Sequence, residues 1–185
     1  MAEDVYLSFI EEIESTRKSH FFCFIDPFGY KGVTWEMLER LMKSSVRGDF
    51  LILLHAGIIA QNIRNVERGA SGHELERFFG KEDWLDEIKK IDRRINNLRE
   101  SVLRYFETRI ESIKGRERVI KRISVKREDE KEHYYLIFIT NKTSSNNPWM
   151  DEVMMLKSLV EEAPSQVDKA LDIILGKQKT LTSFL

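Results

Sequence analysis

Phe21-Phe22-Cys23-Phe24-Ile25-Asp26-Pro27-Phe28-Gly29-Tyr30-Lys31-Gly32 decides the reading of this chain. Five consecutive apolar residues that end in an acid, followed by proline and glycine, predict a buried strand that hands a carboxylate to a loop. Ligands of open α/β sheets bind just beyond the carboxyl ends of the strands, so Asp26 stands where chemistry is usually done. Only twenty residues precede the run, and no glycine-rich phosphate or cofactor loop lies among them.

Outward from this run, Val5, Tyr6, Phe9, Ile10 and Ile13 share one face of an amphipathic helix over residues 3–18. Downstream, Gly29 and Gly32 bracket a tight loop, and Thr34 is placed to cap a helix whose inner stripe is Trp35, Leu38, Leu41 and Met42. Asp49–His55 is a second apolar strand, whose character suits a parallel sheet covered on both faces. Short helices are expected over 58–66 and 73–79, joined by Arg68–Gly72. From Glu82 to about Lys114, apolar residues from Trp84 and Ile88 to Ile110 and Ile113 recur at spacings of three and four, opposite an almost wholly charged face. That pattern predicts one long helix or two with a kink, an inserted arm across the sheet, or alternatively a coiled-coil seam.

Val119, Ile120, Ile123 and Val125, the acidic turn Glu128–Lys131 and the run His133–Asn141 predict an antiparallel hairpin. Asn147-Pro148 then opens a helix through Trp149, Val153, Leu156 and Leu159, and Ser165 with Asp168 opens a last one that Gly176 closes. An antiparallel hairpin closing an otherwise parallel sheet resembles the second half of the class I methyltransferase fold. The expected fold class is therefore α/β, a partial Rossmann-like mixed sheet of about four strands with a helical insertion at about 58–115. One domain would span 1–176, with a tail over 177–185.

Composition narrows the function classes. Thirty basic and thirty-one acidic residues give a net charge of -1, which makes no global case for binding nucleic acid or an anionic membrane. Cys23 is the only cysteine, so no internal disulfide forms, and one cysteine with four scattered histidines makes no zinc pattern. The acidic start lacks the apolar core of a secretory signal, and no apolar stretch reaches the ~18 residues needed to span a bilayer. A cytoplasmic protein without membrane partners is expected. His55, at a strand end, is a candidate base, and the stretch Lys114–Arg127 is a candidate phosphate contact.

Three segments resemble the three-Cys-motif partner family of methyltransferase-like proteins. They are Phe24–Gly32 with Trp35 after it, Phe79-Gly80 followed by Asp83-Trp84, and Tyr134–Asn141. The resemblance implies a methyltransferase-like fold, in which family members begin with an S-adenosylmethionine-binding half that is not seen here. The chain then corresponds to the second half, holds no cofactor by itself, and binds S-adenosylmethionine only if an N-terminal half is supplied. A second copy, or a separately encoded N-terminal half, is expected to pack beside the strand that ends at Asp26; alternatively the first helix folds over to shield that edge. Asp26-Pro27-Phe28 also resembles the Asp-Pro-Pro-aromatic loop of amino-methylating enzymes. That likeness makes Asp26 and Pro27 candidates to orient a target amine and Phe28 to stack on a base, with Asn141 nearby.

Gln178-Lys-Thr-Leu181-Thr-Ser-Phe184-Leu185 resembles the clamp-interaction peptide (PIP box) through which replication and repair proteins bind the sliding clamp, PCNA. One helical turn sets Leu181 and Phe184 on one side as a plug for an apolar pocket, while Gln178 hydrogen-bonds beside it. Lys177 and Lys179 suit an acidic clamp surface, and Leu185 replaces the usual second aromatic. This resemblance implies a clamp-associated protein of DNA replication or repair, of a kind found in archaea, and the cofactor-binding half not seen here makes a non-catalytic role the expectation. The other reading is one half of a split S-adenosylmethionine-dependent methyltransferase.

Overall fold

The computed structural model describes residues 11–12, 21–27, 30–44, 48–115, 117–126 and 132–141. Most of the first expected helix, Phe28, Gly29, the helices expected after Asn147 and Ser165, and the tail from Gln178 to Leu185 lie outside the described residues.

Four strands form one mixed sheet: β1 (Phe21–Ile25), β2 (Gly48–Leu54), β3 (Arg118–Lys126) and β4 (Glu132–Asn141). Their order is β1-β2-β4-β3, so the second strand of the hairpin lies inside and the first at the edge. β1 runs parallel to β2, with Cys23 beside Phe50 and Ile25 beside Ile52. β4 is antiparallel to both of its neighbours, pairing Ile137 with Ile52 and with Arg122. The architecture is the expected α/β, partial Rossmann-like one. The fully parallel environment read for β2 is corrected, because its solid apolar character does not distinguish a parallel from an antiparallel neighbour.

Five helices are described: α1 (Trp35–Ser44), α2 (Ala56–Glu67), α3 (His73–Phe79), α4 (Trp84–Ile95) and α5 (Leu98–Glu111). Thr34 caps α1, its Oγ1 accepting from the Met37 amide at 3.3 Å. The predicted stripe of Trp35, Leu38, Leu41 and Met42 is buried. The 82–114 pattern is two helices broken at Asn96, which takes a left-handed φ of 55°, and at Asn97, whose side chain accepts from the Glu100 amide. Asparagine tolerates that conformation better than other non-glycine residues, and it also caps well.

All five helices bury apolar residues in one core with the same face of the sheet. Phe50, Ile52, Leu54, Tyr135, Ile137 and Ile139 meet Ile59, Ile63, Val102, Phe106 and Ile110 there. The stripe read as an alternative dimer seam is therefore used within the chain, since Val102, Phe106 and Ile110 are fully buried. Burial on this scale, at about 25 cal/mol per Å² of apolar surface, is the main force holding the insertion to the sheet. The opposite face carries Leu51, Leu53, Leu136 and Phe138, all half-buried.

Candidate functional site

Of the residues predicted to form a site at the carboxyl end of β1, Asp26 and Pro27 are described. Asp26 is exposed, Pro27 is buried, and Phe28 lies outside the described residues. Tyr30 is buried edge-on against Phe78, with centroids 6.1 Å apart. Burial raises its phenol pKa, and the nearby charge of Glu74 adds to the shift. Pro27 and Tyr30 are thus buried, while Asp26 faces solvent.

His55 follows β2 at the same end of the sheet. Its ring meets Tyr134 edge-on at 5.7 Å, and α2 begins at the next residue. Continuing the register, Asp26 lies level with Leu53, one strand away and two residues short of His55. Their Cα atoms are then roughly 8 Å apart on standard sheet spacings. Asp26 and His55 therefore stand at the same end of the sheet, Asp26 exposed and His55 half-buried. Among the described residues, no group of three His, Cys, Asp or Glu is placed to hold a metal ion.

Asn141 is a correction. It was expected near Asp26, but β4 runs antiparallel to β2 and carries Asn141 to the opposite end, beside Arg118. Five residues of rise, roughly 16 Å, separate it from the level of Asp26. Its neighbour Thr140 donates from its hydroxyl to the Asp49 carboxylate there. Nothing in the sequence of β4 revealed its direction, and direction alone decides which end a terminal residue reaches.

The resemblance-bearing residues around the helices converge on packing. Trp35 packs edge-on to Phe106 with centroids 6.4 Å apart, and Phe79 stacks on Trp84 at 5.6 Å and meets Tyr105 edge-on at 5.2 Å. Gly80 ends α3 at φ 66°, where an added Cβ would lie 2.3 Å from the Trp35 Cβ. The Arg109 guanidinium sits 4.1 Å above the Trp35 ring, and its Nε donates to the Phe79 carbonyl at 3.2 Å. Tyr105 is buried in this cluster, and desolvation pushes its phenol up to about 12. Gly80, Phe106 and Arg109 therefore join the insertion to Trp35 of α1, a long-range partnership that sequence spacing does not show.

Two arginines of the basic segment, Arg118 and Arg122, make structural contacts. Arg122 Nη2 donates to Glu100 Oε1 at 2.7 Å, Arg104 Nε reaches the same oxygen at 2.8 Å, and Arg122 Nε lies 3.6 Å from Glu107. Burial raises the Glu100 pKa, but hydrogen bonds and charge from Arg122 and Arg104 outweigh it and hold the carboxyl below its ordinary value. Burial leaves Glu107 above its ordinary value. Arg118 donates to the carbonyls of Ile113 and Met42. Lys114 and Lys121 remain exposed, while Arg116, Arg127 and the side chain of Lys126 lie outside the described residues.

The outer face of β1 escaped the sequence reading. Phe21, Cys23 and Ile25 pack against the core, but Phe22 and Phe24 are 57 % and 55 % exposed. The expected fully buried strand is thus half-buried, because an all-apolar run carries no alternation to betray its exposed side. Set against known proteins, the chain matches no family model, no curated protein and no solved structure.

Proposed function

We propose that this chain is a non-catalytic, clamp-interacting protein of DNA replication or repair, working in the cytoplasm and built on a truncated methyltransferase-like fold. The observation that carries this reading is the spacing Gln178, Leu181, Phe184, Leu185, which would set two apolar anchors on one side of a helical turn, beside a hydrogen-bonding amide, if the peptide wound up on a clamp. The non-catalytic part draws support from the use of Trp35, Phe79, Gly80 and Trp84 as packing residues. The globular part would then position the clamp peptide and present a surface of its own to further partners. Titration calorimetry of the full chain, and of the 178–185 peptide, against a purified sliding clamp tests the reading. Binding is expected, with Leu181→Ala and Phe184→Ala each costing at least about 1 kcal/mol. No binding, or binding indifferent to Phe184→Ala, removes the tether.

The exposed Asp26 at a strand's carboxyl end favours a second reading, one half of a split S-adenosylmethionine-dependent methyltransferase completed by a partner chain. On this reading the chain alone gives no heat with S-adenosylmethionine. Adding a partner that supplies a strand and a glycine-rich turn creates binding, and Asp26→Asn then abolishes methyl transfer without lowering stability. Tight cofactor binding by the chain alone refutes the split.

A further inference from the structure

The two ends of the described sheet are built in opposite ways. β3 carries Arg118, Lys121, Arg122 and Lys126 within nine residues and has a register shift at Val125/Lys126. Charges and irregular pairing are devices that stop an edge strand from accepting another strand. β1 reads Phe-Phe-Cys-Phe-Ile, keeps regular register with β2 throughout, and holds neither charge nor proline. Two of its rings stand more than half exposed. Among the described residues no strand pairs with its outer side.

We propose that β1 pairs antiparallel with β1 of a second copy of this chain, about a two-fold axis at Cys23, joining two four-stranded sheets into one of eight. The strand is complementary to itself in this register. Phe22 of each copy faces Phe24 of the other, Phe21 faces Ile25, and Cys23 faces Cys23. Every pair is apolar, and the exposed rings meet as cross-strand aromatic pairs, a favoured combination on a sheet surface. A neutral strand gains nothing from a charged one, so the best complement on the page is another neutral apolar strand of equal length. Such pairing is isologous and closes at two copies. Two half-exposed rings per chain fall well short of an obligate interface, so the dimer forms in a concentration-dependent way. This inference is independent of the clamp reading.

Light scattering on the full chain, from low micromolar to hundreds of micromolar, reads the association directly. The expected result is a mass that rises from one chain to two. Phe22→Lys with Phe24→Lys puts lysine against lysine twice and raises the dissociation constant at least about tenfold, as does the Glu pair at the same positions. Mixing the Lys-substituted and Glu-substituted chains restores the dimer, because the register sets each lysine against a glutamate. The unmodified chain supplies a separate reading. Directly opposed residues of antiparallel strands have Cα atoms about 4.5–5.5 Å apart, within disulfide range. An added diazene oxidant, which takes up the two electrons and two protons released by the two thiols, is therefore expected to link Cys23 to Cys23 through a disulfide. Burial raises the pKa of this thiol, so the reaction is run at alkaline pH. A monomer at every concentration without cross-linking overturns the proposal. So does a dimer indifferent to the lysine pair, and so does a mixture of the two charged chains that stays monomeric.

Discussion

Replacing Gly80 by alanine tests the aromatic junction more sharply than any other single change. The residue sits at φ 66°, and its Cβ would come within 2.3, 2.4 and 2.5 Å of the Trp35 Cβ, Cγ and Cδ1. Trp35 cannot swing away. It is 4 % exposed, packed edge-on against Phe106 and covered by Arg109. A side chain in left-handed backbone costs about 1–2 kcal/mol. Forcing extra volume into a filled site costs about 1–3 kcal/mol more. Together these predict a loss of about 2–5 kcal/mol, a drop in urea midpoint of roughly 1–2.5 M at a slope of about 2 kcal/mol per molar. Gly69→Ala is the control, because φ is 98° there but nothing lies within 4 Å of the added Cβ. It should show the backbone cost alone, about 1–2 kcal/mol. The measurement is equilibrium urea unfolding followed by circular dichroism and tryptophan fluorescence. If Gly80→Ala falls within about 0.5 kcal/mol of Gly69→Ala, the claim that this corner is sterically closed is wrong.

Arg109→Met removes the charge above Trp35 and the hydrogen bond to the Phe79 carbonyl, for an expected loss of about 1–3 kcal/mol in the same assay, and Arg109→Lys should recover less than half. Glu100→Gln should cost about 1–2 kcal/mol at pH 7, because Arg122 and Arg104 share its carboxylate. The lowered folded pKa of Glu100 adds stability above its unfolded value of 4.5 and loses it as the pH falls through the folded value, so the gap from the parent chain should narrow toward pH 3. Glu107 has the opposite sign. Its raised folded pKa brings a cost that sets in as the pH rises through 4.5 and is complete above the folded value, so Glu107→Gln should be neutral or stabilising at pH 7, and a clear loss there would contradict the direction of its shift.

Local signals were read well from the sequence. Thr34 and the stripe after it foretold α1, and the acidic turn after Lys126 foretold the hairpin, because caps, turns and amphipathic spacing are written within a few residues. What depends on distant partners was not legible. The run Phe21–Ile25 looked buried on both sides because its residues are all apolar, and only the register with β2 shows that Phe22 and Phe24 face outward. Asn141 was placed near Asp26 because strand direction is a property of the sheet. The break at Asn96-Asn97 did have a local signal, two successive residues suited to left-handed backbone and capping, within an otherwise continuous helical pattern. Asp26 and His55 do follow the carboxyl ends of β1 and β2, as their place after apolar runs predicts. The part of Trp35, Gly80 and Arg109 in one junction required the fold.

The position of β4 between β2 and β3 also governs how the chain can reach its native state. Phe50 must find Ile139, 89 positions later, and each doubling of such a loop adds about 0.6 kcal/mol of closure entropy. The intervening segment holds α2 to α5, whose mutual contacts are far more local. If these helices collapse first, Val102→Ala should slow refolding, while Ile139→Val should mainly speed unfolding; the reverse pattern would invert the order. The insertion would then bring the two halves of the sheet together during folding, and shortening it would impair refolding as well as stability.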